Sequence, residues 1–170
     1  KDGKREGLWE SYHTNGQLES RGNFVDPSSY GLQETTLGSL EYWENGKREG
    51  VWEGFHDNGQ LKIRRNYIDG KREGPSEGFH DNGQLHYREN FKDDKHKGPY
   101  ERFHENGQLF TIGNYKNGVQ EGLWVEFHEN GQLKGRGNYK NGVQDGLFEF
   151  FHENGKLDSK WNYKNGELVE

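Results

Sequence analysis

The heptapeptide F-H-E-N-G-Q-L, Phe127–Leu133, decides the reading of this 170-residue chain, because close copies of it keep returning. Its histidine, His128, has counterparts at His13, His56, His80, His104 and His152. The last five of these six stand 24 residues apart, and the first gap is 43, five short of two periods. Self-similarity at such a period marks stacked supersecondary units, each too small to bury a core alone.

Reading outward from each histidine, an aromatic precedes it every time: Tyr12, Phe55, Phe79, Phe103, Phe127 and Phe151. Four residues before it stands Trp9, Trp52, Ser76, Tyr100, Trp124 or Phe148. Asn-Gly follows two residues after it, then a leucine, and each unit closes on Asn-Tyr or Asn-Phe. Asn-Gly between alternating segments is the strongest short-range hairpin signal, because both residues accept the positive φ of a type I′ turn. Each unit therefore reads as a β-hairpin, and a two-residue loop would pair each histidine with the leucine five positions on.

That register sets Ser11 opposite Ser20, Gly54 opposite Ile63 and Gly78 opposite Tyr87, always with a small partner in the pair. It also sets Trp9 opposite Gly22, Tyr100 opposite Gly113, Trp124 opposite Gly137, and Ser76 opposite Glu89. On the other face Glu10–Arg21, Glu53–Arg64, Glu77–Arg88 and Glu149–Lys160 become cross-strand charge pairs. A three-residue loop with a bulged glycine would lose these matches, so the two-residue turn is the expectation. One face then carries tryptophan, histidine, leucine and the closing Tyr or Phe. The other carries the aromatic before the histidine, the Leu, Val or Pro five residues before it, and the charge ladder.

Gly-bracketed segments such as Asn117–Gly122 join the hairpins and keep neighbours antiparallel. Asp94 replaces the first of those glycines in one copy, a place Asp can fill in left-handed geometry. The long first gap reads as a worn copy over residues 26–46, with Glu34-Thr35 in the Asn-Gly slots, either an irregular hairpin or a loop.

Composition sets the outer bounds. Only 27% of residues are hydrophobic and the net charge is −6, which alone would suggest disorder. Aromatics at 14%, recurring at fixed positions, argue for order instead. There is no cysteine, hence no disulfide framework or thiol nucleophile, and no methionine, which reads as a processed or excised chain. No signal peptide or membrane span is legible, leaving the compartment open between bacterial cytoplasm and an exported or surface location. The acidic balance speaks against nucleic acid and disfavours an anionic membrane as partner.

The run Y-K-N-G-V-Q-E-G-L-W-V-E-F-H-E-N-G-Q-L, Tyr115–Leu133, resembles the MORN-repeat family in its bacterial 24-residue variant. The likeness spans nearly the whole chain, as one continuous array over residues 1–170. It implies an all-β fold: an elongated, single-layer, twisted antiparallel sheet of tandem hairpins, six clear repeats plus one degenerate. It also implies a protein-binding or scaffolding role, with membrane lipid contact proposed for some members. Many bacterial chains of this variant look like antitoxins, others like exported lipoproteins. Seven hairpins at about 4.8 Å per strand would extend roughly 65 Å, and the exposed edges and faces invite a homodimer.

No catalytic residue emerges. Histidines one hairpin apart lie roughly 10 Å from each other, too far to share a metal ion, and read as sheet-bound. The Glu–Arg ladder offers each carboxylate an opposite charge instead of a second carboxylate, so acid–base catalysis is weakly supported. No phosphate cradle, nucleophile elbow or cofactor motif is present. The surface of interest is the line of Tyr12, Phe55, Phe79, Phe103, Phe127 and Phe151, expected either to pack on itself or to anchor a protein partner. Arg21, Arg64, Arg88 and Arg136 would supply the polar contacts, since aromatics and arginine are the usual interface anchors. A lipid- or glycan-contacting module and a toxin-sequestering immunity protein are the alternatives.

Overall fold

A computed structural model describes residues 7–25 and 47–169. These form one open antiparallel sheet of 16 strands, with sequence neighbours lying side by side. The strands are β1 (Gly7–Tyr12), β2 (Leu18–Val25), β3 (Lys47–Phe55), β4 (Leu61–Ile68), β5 (Lys71–Phe79), β6 (Leu85–Lys92), β7 (Lys95–His96) and β8 (Gly98–Phe103). They continue as β9 (Leu109–Lys116), β10 (Val119–Gln120), β11 (Gly122–Phe127), β12 (Leu133–Lys140), β13 (Val143–Gln144), β14 (Gly146–Phe151), β15 (Leu157–Lys164) and β16 (Glu167–Val169). The all-β array of hairpins expected from the repeats is thus the fold. The reading of 26–46 as a worn repeat falls outside the described residues, and β2 pairs directly with β3.

The turn after each histidine differs from expectation. His13 N donates to Gln17 O and Gly16 N to His13 O, both at 2.8 Å, which closes a three-residue loop over Thr14-Asn15-Gly16. Only the glycine takes a positive φ there, 83° at Gly16. The same loop closes at His56, His80, His104, His128 and His152. The two-residue type I′ turn does occur, but in the second Asn-Gly of the repeat: Asn117 and Gly118 have φ of 54° and 87°, and Val119 pairs with Lys116. Asp94, at φ 62°, holds the expected left-handed place.

The reason lies in what the first asparagine does with its side chain. Asn130 Oδ1 accepts from Gln132 N at 3.0 Å while its Nδ2 donates to Glu153 O of the next tip at 2.9 Å. An asparagine in ordinary right-handed geometry can do both; the left-handed one at 141 needs only its backbone. Asn130→Gly should therefore cost about 1–2 kcal/mol, two hydrogen bonds at about 1 kcal/mol each. Asn141→Gly should cost almost nothing, because glycine enters left-handed geometry freely. Denaturant unfolding of both variants checks this, and equal losses would contradict the turn assignment.

A loop of three shifts the register by one, and a bulge shifts it back. Ser11 pairs with Ser20 but Tyr12 with Leu18, so Glu19 is passed over, and every hairpin repeats the step. Beyond the bulge the expected pairs stand: Trp9–Gly22, Tyr100–Gly113, Trp124–Gly137, Ser76–Glu89. Inside it they do not. The leucine faces the aromatic before the histidine, as in Phe127–Leu133, and so lies on the charge-ladder face instead of the tryptophan face. The exposed Pro75 sits within β5 without breaking it, because pairing with β4 shifts between Arg65 and Tyr67 beside it and no N–H is required.

The core is a stripe of rings along one face, which we term the ring face. Tyr115 meets Trp124 edge-on at 5.2 Å, Trp124 meets Tyr139 at 6.2 Å, Tyr139 meets Phe148 at 5.4 Å, and Phe148 meets Tyr163 at 5.2 Å. The same edge-on contact joins Phe24 to Trp52 at 4.8 Å. Such pairs add about 0.5–1.5 kcal/mol each beyond area burial. Phe24, Tyr67, Phe91 and Phe148 are buried, although no second layer covers them among the described residues.

Three of the large rings, Trp52, Trp124 and Phe148, lie on a glycine of the preceding hairpin. A Cβ would fall 2.2 Å from Trp52 at Gly22, 2.3 Å from Trp124 at Gly113, and 2.2 Å from Phe148 at Gly137. Where Ser76 replaces the ring, polar side chains fill the gap. Ser76 Oγ donates to buried Glu89 at 3.3 Å, and His96 Nδ1 lies 3.2 Å from the same carboxylate. Burial of Arg65 works against its charge, but the hydroxyls of Tyr87 and Tyr67 outweigh that and raise its pKa.

Candidate functional site

Tyr12, Phe55, Phe79, Phe103, Phe127 and Phe151 end β1, β3, β5, β8, β11 and β14, just before each hairpin tip. The tips fix their spacing. His56 Nε2 donates to Phe79 O at 2.9 Å, and His128 Nε2 to Phe151 O at 2.8 Å. A carbonyl only accepts, so Nε2 carries the proton. His13 reaches Phe55 O at 3.1 Å across a separation of 42 residues, so the first described hairpin docks as the others do. His13, His56, His80, His104 and His128 are structural stitches, as the sheet-bound reading expected, while His152 of the last hairpin lies 3.2 Å from Asp158 instead.

Tyr12 is 59% exposed and donates to Glu10 at 2.6 Å, and the five phenylalanines are half-buried. Among the described residues none of these six rings makes a ring–ring contact. Arg21 lies over Phe55 at 5.5 Å. Each ring is paired across its hairpin with a leucine.

Arg21, Arg64, Arg88 and Arg136 share this face but are not free polar arms. Directly opposite residues form one row across the sheet, running Glu10, Arg21, Glu53, Arg64, Glu77, Arg88 and Glu101. The expected ladder within hairpins thus continues between them, which repeat alignment alone did not reveal. Arg21 and Arg64 both bind Glu53, at 2.6 and 2.8 Å, and Arg136 binds Glu149 at 2.7 Å. Burial alone would push the Glu53 carboxyl up, but hydrogen bonds from Arg64 and Arg21 overcome it and hold the group below its ordinary range. Exposed pairs of this kind add little stability singly and more as a network.

The row is interrupted once. After Glu101 come Ile112 and Val125, directly opposite each other, before Arg136, Glu149 and Lys160 resume the charges. With Phe103, Leu109, Phe127 and Leu133 on the neighbouring row, the pair makes an apolar break in an otherwise charged row. We term the face that carries it the ladder face. Sequence reading did not single out Ile112 and Val125; their signal is the loss of Glu–Arg alternation in those two strands.

The MORN repeat variant family matches six segments: residues 5–26, 48–69, 72–93, 97–117, 120–141 and 144–165. The chain belongs to the MORN repeat variant family. MORN repeats are in general non-enzymatic modules that bind proteins or membranes. The matched segments of this MORN array leave out residues 27–47, where the worn copy was read. No curated protein matches the chain. Among solved structures it is similar to an S. aureus TarM mutant crystallised with fondaparinux, alpha-GlcNAc-glycerol and UDP. The likeness is at 15% identity and a TM-score of 0.36, over 56% of this chain and 19% of that one, and carries no argument about function.

Proposed function

We propose that this chain is a non-enzymatic scaffold that binds protein through the ladder face, with Phe103 and Phe127 as central anchors. The observation that supports it is the contrast between the two faces. On the ring face the aromatics satisfy one another edge to edge. On the ladder face six aromatics stand in line without ring partners among the described residues, beside paired charges, with Phe103 and Phe127 next to Ile112 and Val125. Apolar anchors ringed by polar groups are the anatomy of a protein interface.

The expected result is that Phe103→Ser with Phe127→Ser removes capture of protein by the immobilised chain, with circular dichroism and the melting midpoint close to native. Loss of the sheet would show those rings to be core. Binding to liposomes or polysaccharide with no protein captured would overturn the reading.

A further inference from the structure

We propose that the ladder face pairs with a second copy of the same chain, about a two-fold axis running along the strands between Ile112 and Val125. This rests on the reading of that face as protein-binding and names the partner. Its ground is the order of side chains along the cross-strand row. Outward from the centre on one side come Ile112, Glu101, Arg88 and Glu77. On the other side come Val125, Arg136, Glu149 and Lys160.

A two-fold axis at that point lays each half-row of one copy on the opposite half-row of the other. Ile112 then meets Val125 and Glu101 meets Arg136. Arg88 meets Glu149, Glu77 meets Lys160, and symmetry makes each contact twice. Every charge from Glu77 to Lys160 faces its opposite. On the next row the same operation sets Leu109 against Phe127 and Phe103 against Leu133, ring on aliphatic chain throughout. Two twisted sheets packed face to face lie within about 30° of each other, so contact is closest at the centre, where the apolar residues are.

Neighbouring placements fail. An axis through Ile112 sets Arg88 on Arg136, and one through Val125 sets Glu101 on Glu149, with like charges across a desolvating contact. An axis one strand away, between Glu101 and Ile112, keeps signs opposed but presses Ile112 and Val125 onto Glu101 and Arg88. Of the axes at or beside the apolar pair, only the one between Ile112 and Val125 satisfies both charge and apolar contact.

The test is sedimentation of the whole chain at up to about 100 µM, enough to populate a micromolar complex. The native chain should be a dimer. Glu101→Arg alone and Arg136→Glu alone should each weaken it at least about tenfold, one close like-charge contact being worth that or more. Mixing the two variants should restore the dimer, because the new arginine of one copy faces the new glutamate of the other. The double variant should recover likewise.

Neither combination mends the contacts within a chain, Arg88–Glu101 at 3.5 Å and Arg136–Glu149 at 2.7 Å, so recovery reports on the contact between copies. Should one variant not fold, Glu77→Lys and Lys160→Glu pose the same question one step outward. A monomeric native chain, single variants as dimeric as native, or a mixture that stays monomeric would each overturn the proposal. The broader protein-binding reading fails on a different result, unchanged protein capture by the Phe103→Ser, Phe127→Ser chain.

Discussion

Gly113→Ala should destabilise the sheet by about 2–3 kcal/mol, the range of an overpacked site, even though alanine normally improves a strand. The added Cβ would stand 2.3 Å from Cδ2 of Trp124 and 2.4 Å from its Cε2. Those are atoms of a rigid ring wedged between Tyr115 and Tyr139, and not the tip of a flexible chain. The ring can escape only by leaving its place in the stripe, which forfeits the contacts on both sides.

Urea unfolding gives the size of the effect, and a double-mutant cycle gives its cause. In a Trp124→Ala background the same glycine substitution should become neutral or mildly stabilising, because nothing then occupies the space over the backbone. A loss of equal size in both backgrounds would show that the glycine serves backbone conformation and not the ring.

Phe148→Ala should cost about 3–5 kcal/mol, as large-to-small changes at buried aromatics do. Phe148 is 5% exposed, covers Gly137 and meets Tyr139 and Tyr163 edge-on at 5.4 and 5.2 Å. Cross-strand pairing between β12 and β14 is short, with Gly135–Phe150 and Arg136–Glu149 as its register. The ring is therefore the main apolar joint between the final hairpin and the rest.

In an array stabilised by nearest neighbours, such damage stays local. Amide exchange over residues 146–169 should accelerate first, with residues 98–127 still protected. Uniform loss of protection along the chain would show that the array unfolds as one unit and that the joint is not separable.

The hairpins, their antiparallel order and most of their register were legible from periodicity. Pairs such as Trp124–Gly137 and Glu77–Arg88 follow from which residues match across a tip, and the structure holds them. The turn itself was misread, because in the last three repeats Asn-Gly occurs twice and the local signal is the same in both places. What separates them is the neighbour: Asn130 spends its amide on Glu153 of the next tip, while Asn141 does not reach across. The line of aromatics before the histidines was legible as a line, but not that its rings would lack ring partners.

Local pattern suffices for whatever one hairpin decides alone, since alternation and turn residues act within about a dozen positions. The amino-acid order alone thus determined the strand content, the pairing beyond each bulge and the sheet-bound role of the histidines. Contacts between hairpins were decided only in three dimensions. They put Trp124 on Gly113 of the preceding unit, carried the Glu–Arg ladder from one repeat to the next and brought Ile112 opposite Val125. The physical reason is that side chains from neighbouring units compete for the same space over the sheet, and the winner depends on both units at once.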